Sequence, residues 1–94
     1  MSPNTAEKLD PTSEIKRGLI LIMNDILKLD LSVDDVSDET NLYELGLESL
    51  KVVELLSAVE RNFDIIIDVE DLSAELFSRF ENVVTFIQAK RDGD

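Results

Sequence analysis

The chain has 94 residues, enough for one small domain with a modest core. Its 21 acidic and 9 basic residues give a formal net charge of -12, which disfavours nucleic acid and anionic membranes as partners and favours basic protein surfaces. The sequence has no Cys and no His, which excludes disulfides, thiol catalysis, and the commonest general base and transition-metal ligand. We therefore expect a protein that is not an enzyme on its own.

The hydropathy pattern shows neither a run of transmembrane length nor the basic-then-apolar pattern of a secretion signal. We therefore expect a cytoplasmic protein with no membrane partner. Because the sequence lacks a large unbalanced apolar face, we also expect a monomer.

The first predicted helix follows a polar start of the chain. Residues 1–12 are predicted to be a flexible tail, and the helix-start cluster Asp10–Ser13 contains Pro11, which a first turn tolerates. Apolar residues then recur at helical spacing and predict a core-facing stripe, formed by Ile15, Leu19, Ile22, Met23, Ile26 and Leu29. The outer side is predicted to carry Lys16, Arg17, Asn24 and Lys28.

A long acidic loop is predicted over Asp30–Asn41, with three apolar residues touching the core: Leu31, Val33 and Val36. Its alternating oxygen-bearing side chains resemble a calcium-binding loop. However, Asp35 stands where such a loop needs glycine, and Asn41 stands where it needs its final Glu. We therefore expect no high-affinity calcium site and no metal among the functional residues, and weak binding of divalent cations to the acidic surface stays open.

The second predicted helix begins at Glu48 or Ser49 and ends at Phe63. Its core arc is formed by Val52, Leu55, Leu56, Val59 and Phe63. The run Ile65–Ile67 is β-branched, but the chain offers no second strand to pair with it, which favours a docked loop. Two interpretations of the run stay open. Most of it is expected to close the bundle, and one of its three residues, with Ile66 as the leading candidate, would face a partner or the cargo.

Two further helical segments are predicted after this run. A short helix spans about Val69–Phe77, with Leu72, Leu76 and Phe77 inward, and Asn82 caps a last helix that carries Val83, Phe86 and Ile87. Residues 13–90 would form the domain and residues 91–94 a frayed tail. The predicted fold is all-α: a small four-helix bundle of three main helices and one short helix, with a long loop between the first two.

Ser49 follows a turn glycine at the start of the second helix, where a serine is ordinarily only a cap. The surrounding stretch Asn41–Asp64 resembles the acyl carrier proteins, which are four-helix domains that carry phosphopantetheine. The matching elements are Leu45-Gly46-Leu47-Glu48-Ser49-Leu50, then Glu54-Leu55, and then Glu60-Arg61-Asn62-Phe63. With helix order and loop length, the resemblance extends over about Ser13–Ala89.

The resemblance implies that a transferase attaches 4'-phosphopantetheine from coenzyme A to Ser49. The chain would then hold acyl groups as thioesters for loading and synthase enzymes with basic docking surfaces, without catalysing a reaction. Glu48 replaces the usual Asp, Arg61 occupies a position that is often acidic, and Ile65, Ile66 and Asp68 replace the polar residues and Pro of typical fatty-acid carriers. These differences favour a carrier of a specialised, secondary pathway.

A stripe on the second helix is predicted to face away from the core. Leu50, Glu54, Ser57 and Arg61 follow the spacing i, i+4, i+7 and i+11, and Val53 and Glu60 border them. In the family that the chain resembles, this helix binds basic partner enzymes. We therefore expect the partner face to comprise Glu48, Leu50, Val53, Glu54, Ser57, Glu60 and Arg61.

Two alternatives to an acyl carrier remain open. An aminoacyl or peptidyl carrier has the same fold, and loading assays would distinguish the two. An acidic helical adaptor without a cofactor would use Ser49 only as a cap, and the patch formed by Leu50 and Val53 would be its whole binding surface.

Overall fold

The computed structural model describes residues 11–93. Three α-helices dominate this part of the chain: α1 (Pro11–Leu27), α2 (Ser49–Phe63) and α3 (Phe80–Gly93). Four 3₁₀ turns connect them: Val33–Asp35, Leu42–Leu45, Val69–Asp71 and Ala74–Phe77. No strand occurs between residues 11 and 93, and Ile65–Ile67 is a loop, as predicted. The prediction of a small all-α helical bundle is confirmed.

The two predicted tails differ from the structure where it describes them. Residues 11 and 12 belong to the first turn of α1, because proline is well suited to a first helical position. At the other end, residues 91–93 continue α3 to Gly93. Residues 1–10 and 94 of the predicted tails lie outside the described residues.

The core lies between α1 and the other two helices, both of which pack against it. Leu29 was predicted to end the first apolar arc, but α1 ends at Leu27 and Leu29 does not pack on the core. The other residues of the predicted apolar arcs of α1 and α2 face inward, and Leu55 and Val59 of α2 are buried. Ile20 and Ala58 are also buried, although the helical pattern did not select them. The fully buried side chains at the centre are Phe80, Ile15, Leu19, Met23, Leu42, Leu55 and Ile87.

Gly18 allows α1 and α2 to approach closely. A Cβ atom at this position would lie 3.0 Å from Cζ of the Phe63 ring, tighter than ordinary van der Waals contact. Glycine is less favourable than alanine inside a helix. At Gly18, however, the missing Cβ lets the Phe63 ring at the end of α2 pack closely on α1.

The long loop is tied to the helices by hydrogen bonds. Asn24, which was predicted to face outward, donates to the Leu31 carbonyl at 2.9 Å and accepts from the Leu31 amide at 2.8 Å. Leu31 and Val36 pack on the core as predicted. Val33 does not, since it is 54% exposed at the start of its 3₁₀ turn.

The start of α3 corrects the prediction that Asn82 caps it. The Phe80 amide donates to the Thr40 carbonyl at 2.7 Å, and the Glu81 amide donates to the Asp38 carbonyl at 2.9 Å. Carbonyls of the long loop thus satisfy first-turn amides that usually need a capping side chain. Asn82 instead donates from its side chain to the Glu75 carbonyl.

The predicted short helix is divided into two 3₁₀ turns. Leu72 and Ser73 between them have extended backbone dihedrals, so the helix cannot continue through them. Leu76 and Phe77 are buried as predicted, and Leu72 is half-buried against the core.

Candidate functional site

The approach to Ser49 is built by a tight turn. The Asn41 side chain accepts a hydrogen bond from the Tyr43 amide at 2.9 Å and starts the 3₁₀ turn Leu42–Leu45. Gly46 ends that turn with a φ of 110°, in the left-handed region that glycine adopts without strain. Leu47 is then buried at 4% exposure, which anchors the chain just before α2 begins.

Ser49 is the first residue of α2 and not its cap. The N-cap position belongs to Glu48, whose carbonyl accepts from the Val52 amide at 2.8 Å and whose side chain makes no capping bond. Ser49 is exposed, and its hydroxyl has no hydrogen-bond partner among residues 11–93. The interpretation of Ser49 as a mere helix cap is therefore wrong.

The surroundings of Ser49 suit a covalently attached phosphate ester. The first-turn amides of a helix have no intrahelical acceptor and lie at the positive end of its dipole, so they favour a negative charge there. Gly46 adds no bulk, because a Cβ atom built on it would meet nothing within 4 Å. The residues present thus fit a phosphopantetheine group on the Ser49 hydroxyl.

Ser49 has no obvious internal base. The chain contains no His, and Glu48 and Glu44 are solvent-exposed carboxylates. The residues described do not bring together a group of three or more metal-ligating side chains that could hold an ion. Activation of the hydroxyl would therefore come from a second protein.

The predicted partner face is largely exposed. Leu50 is 77% exposed and Val53 is 61% exposed, near the N-terminal end of α2. Glu48, Ser57 and Arg61 also face solvent, and Glu54 lies 4.0 Å from Lys51 in a partly exposed ion pair.

Glu60 differs from the rest of that predicted face. It is half-buried, and its Oε2 accepts a hydrogen bond from the Ile67 amide at 2.8 Å. Its carboxylate therefore holds the loop that follows α2, a role that the helical spacing did not predict.

Tyr43 links the turn before Ser49 to the second half of the chain. Its hydroxyl donates to the Ala74 carbonyl at 2.8 Å, and its ring packs edge-to-face on Phe77 with centroids 6.2 Å apart. The sequence did not predict these contacts because Ala74 and Phe77 both lie more than thirty positions after Tyr43. The sequence offered one indication only, since the hydroxyl of a packed tyrosine usually has a hydrogen-bond partner.

A second contact missed by sequence reasoning joins α3 to the 3₁₀ turn Val69–Asp71. Lys90 Nζ lies 2.7 Å from Asp71 Oδ2 and 3.8 Å from Asp68 Oδ2. The hydrogen bond from Lys90, together with one from the Asp68 amide, lowers the pKa of Asp71 below its ordinary value.

Among the described residues, no helix combines the length and the hydrophobicity that a membrane span requires.

Comparisons with known proteins agree with this geometry. Residues 17–87 match the family model described as "Phosphopantetheine attachment site". An acyl carrier protein of Campylobacter lari is 40% identical over 73 residues, covering 71% of this chain and 92% of that protein. An acyl carrier protein of Campylobacter jejuni (strain RM1221) is 39% identical over 61 residues, with 64% and 77% covered.

A third acyl carrier protein, from Buchnera aphidicola, is 36% identical over 64 residues, covering 67% of this chain and 78% of that protein. No solved structure matches the chain significantly. The stretch that matches the family model includes the Gly46–Ser49 turn, all of α2 and more than half of α1 and α3. The chain therefore belongs to the acyl carrier protein family, whose prosthetic group is covalently attached 4'-phosphopantetheine.

Proposed function

We propose that Ser49 is the attachment site and that the chain carries acyl groups, as thioesters, between the enzymes of a fatty-acid, polyketide or other secondary biosynthetic pathway. The observation that supports this most directly is the exposed Ser49 hydroxyl, which has no protein partner within residues 11–93 and begins α2 directly after the Gly46 turn. The relatives named acyl carrier protein support an acyl cargo over an aminoacyl one.

Attachment requires coenzyme A and a phosphopantetheinyl transferase. The Ser49 oxygen forms a bond to the phosphorus next to the pantetheine unit, while the pyrophosphate bond of coenzyme A breaks and adenosine 3',5'-bisphosphate leaves. The hydroxyl proton passes to a base of the transferase, because this chain offers no His near Ser49. Once attached, the group supplies a terminal thiol for thioester formation.

The chain's own residues would present the group and bind the enzymes. The N-terminal end of α2 favours the charge of the phosphodiester, and Leu50 and Val53 offer exposed apolar contacts beside it. Glu48, Glu54, Ser57 and Arg61 would contribute polar contacts at the rim. With this role, the protein acts as a monomeric, non-catalytic carrier in the cytoplasm.

The first experiment is intact-mass measurement after incubation with coenzyme A, magnesium and a broad-specificity phosphopantetheinyl transferase. We expect one phosphopantetheine on the wild type and none on Ser49→Ala. The substitution should not affect folding, because the Ser49 side chain is exposed and makes no hydrogen bond in the described part of the chain. A folded wild type without addition, or an Ser49→Ala variant that is still modified, would contradict the proposal.

The cargo is tested on the modified protein. Incubation with an acyl-coenzyme A and a carrier transacylase should add an acyl group, whereas an adenylating enzyme with amino acids should add nothing. The reverse outcome would indicate an aminoacyl carrier.

A further inference from the structure

The long loop before Ser49 lies beside the segment that leads into α3. Two carbonyls of the loop, at Asp38 and Thr40, accept hydrogen bonds from the first two amides of α3. Tyr43 makes the next link, because its hydroxyl donates to the Ala74 carbonyl at 2.8 Å. In the described part of the chain, this is the long-range hydrogen bond nearest to Ser49 in sequence.

The Tyr43 ring reinforces that hydrogen bond. It packs edge-to-face on Phe77, with ring centroids 6.2 Å apart and the ring planes inclined by 78°. Phe77 is buried, so the ring rests on a side chain that the core holds in place. Tyr43 itself is 40% exposed and therefore contributes more to this junction than to the filling of the core.

The start of α2 depends on the chain that precedes it. Glu48 occupies the N-cap position, but its side chain makes no capping hydrogen bond. A first turn that lacks a capping side chain opens more readily, because the cap would have stabilised it. The first bond of α2, from the Val52 amide to the Glu48 carbonyl at 2.8 Å, therefore persists only while Glu48 keeps its place. Ser49 lies inside this turn.

Two side chains hold the chain on either side of Gly46. Leu47, which follows it, is buried, and Tyr43, three positions before it, is fastened to the second half of the chain. Gly46 has no side chain to make a contact of its own, and its φ is 110°. Loss of the Tyr43 link would therefore allow the entry to α2 to move about a flexible glycine.

Transfer of a phosphoryl group to Ser49 is sensitive to such movement. The attacking and leaving oxygens must lie roughly in line with the phosphorus atom. Misplacement of a reacting group by about 1 Å can lower a rate about a hundredfold. Docking on the exposed face of α2 brings the carrier to the enzyme, whereas a formed first turn aligns the Ser49 hydroxyl.

We infer that Tyr43 is a positioning residue for the modification of Ser49. Its contacts with Ala74 and Phe77 keep the first turn of α2 formed, so that the Ser49 hydroxyl is presented in one orientation. Tyr43 acts through the turn that ends at Gly46 and not on the reacting atoms. This inference rests on the proposed attachment at Ser49.

The kinetic test compares the wild type with Tyr43→Phe, which removes only the hydroxyl, and with Tyr43→Ala, which also removes the ring. A broad-specificity phosphopantetheinyl transferase with coenzyme A and magnesium is the probe, and initial rates are measured against carrier concentration. We expect kcat to fall about fivefold in Tyr43→Phe and about twentyfold in Tyr43→Ala, from the usual strengths of the lost hydrogen bond and ring contact. KM should change little, because the exposed face of α2 is kept.

Asn82→Ala is the matched control. The Asn82 side chain donates to the Glu75 carbonyl at 2.9 Å, so its removal breaks a comparable hydrogen bond to the same 3₁₀ turn from the α3 side. Both residues belong to the second half of the chain, and the Tyr43 link is kept. We therefore expect wild-type kcat in Asn82→Ala.

Amide hydrogen exchange tests the positioning role without the transferase. The Val52 amide reports on the first turn of α2, because it donates the first hydrogen bond of that helix. We expect its exchange to be about fivefold faster in Tyr43→Phe and unchanged in Asn82→Ala. The Val59 amide, further along α2, is the internal reference.

Three results would overturn the positioning role while leaving Ser49 as the attachment site. These are a wild-type kcat in folded Tyr43→Ala, wild-type exchange of the Val52 amide in that variant, and an equal fall of kcat in Asn82→Ala. Failure of the wild type to be modified would overturn both the attachment at Ser49 and its positioning by Tyr43.

Discussion

Glu54 and Glu60 lie on the same helix, yet their carboxylates have different surroundings. Glu54 faces solvent beside Lys51, where it is available to a passing partner. The Glu60 carboxylate instead accepts a hydrogen bond from the Ile67 amide. Since a hydrogen bond to a charged acceptor is worth more than a neutral one, Glu60 belongs to the framework that positions the loop after α2.

Substitutions at Glu60 separate this positioning role from a role of its charge in binding. We expect Glu60→Ala to speed hydrogen exchange of the Ile67 amide about tenfold, because that donor loses its partner. Glu60→Gln should keep much of the protection, since its side-chain oxygen still accepts. Amide exchange followed by NMR checks this, with the Val52 amide on α2 as an internal reference. Equal exchange at Ile67 in wild type and Glu60→Ala would contradict the assignment.

At the scale of elements, the 3₁₀ turn Val69–Asp71 depends on α3 for its position. The Lys90 hydrogen bond is the main cause that lowers the pKa of Asp71. A carboxyl whose pKa is lower in the folded state contributes stability above its unfolded pKa and loses that contribution as pH falls through its folded pKa. The attachment of this turn should therefore weaken in acid.

Asp71→Asn tests this dependence. At neutral pH we expect the variant to unfold at a lower urea concentration than the wild type, by a small margin because the pair is near the surface. The difference should begin to shrink as pH falls below about 3.9, the usual pKa of an aspartate, because Asp71 of the unfolded wild type then takes up a proton, and it should vanish once the folded carboxyl is protonated at its lower pKa. Urea midpoints measured across this range check it. A difference in urea midpoint between wild type and Asp71→Asn that is constant with pH would show that the charge of the Asp71 carboxylate does not contribute to stability.

The elements differ in how far local sequence predicted them. For α2, the apolar period and the Gly46 turn are both local, and the helix occurs at Ser49–Phe63 as predicted. The start of α3 was placed too late, because its amides are satisfied by Thr40 and Asp38 carbonyls, some forty positions earlier. The exposure of Ser49 followed from its motif, whereas the Glu60 and Lys90 contacts depend on tertiary packing that periodicity does not encode.

At the scale of the whole molecule, net charge opposes compactness. The chain carries -12, and the ion pairs described between residues 11 and 93 are partly exposed. Surface pairs of this kind contribute little, so salt should act chiefly by screening repulsion among carboxylates.

We therefore expect the melting temperature to rise when ionic strength increases from about 0.01 M to about 0.15 M. Thermal unfolding followed by far-ultraviolet circular dichroism measures it, with sodium chloride as the salt. A melting temperature that falls over this range would show that the ion pairs outweigh the repulsion.

The contact of Tyr43 has a practical consequence. The chain has one Tyr and no Trp, so its near-ultraviolet absorption and fluorescence arise chiefly from this ring. The ring lies six positions before Ser49, against Phe77, with its hydroxyl bonded to the Ala74 carbonyl. Its emission therefore reports on one end of the bundle without an added label. Comparison of the tyrosine fluorescence before and after modification of Ser49 would show whether the modification changes the contacts of Tyr43 with Ala74 and Phe77.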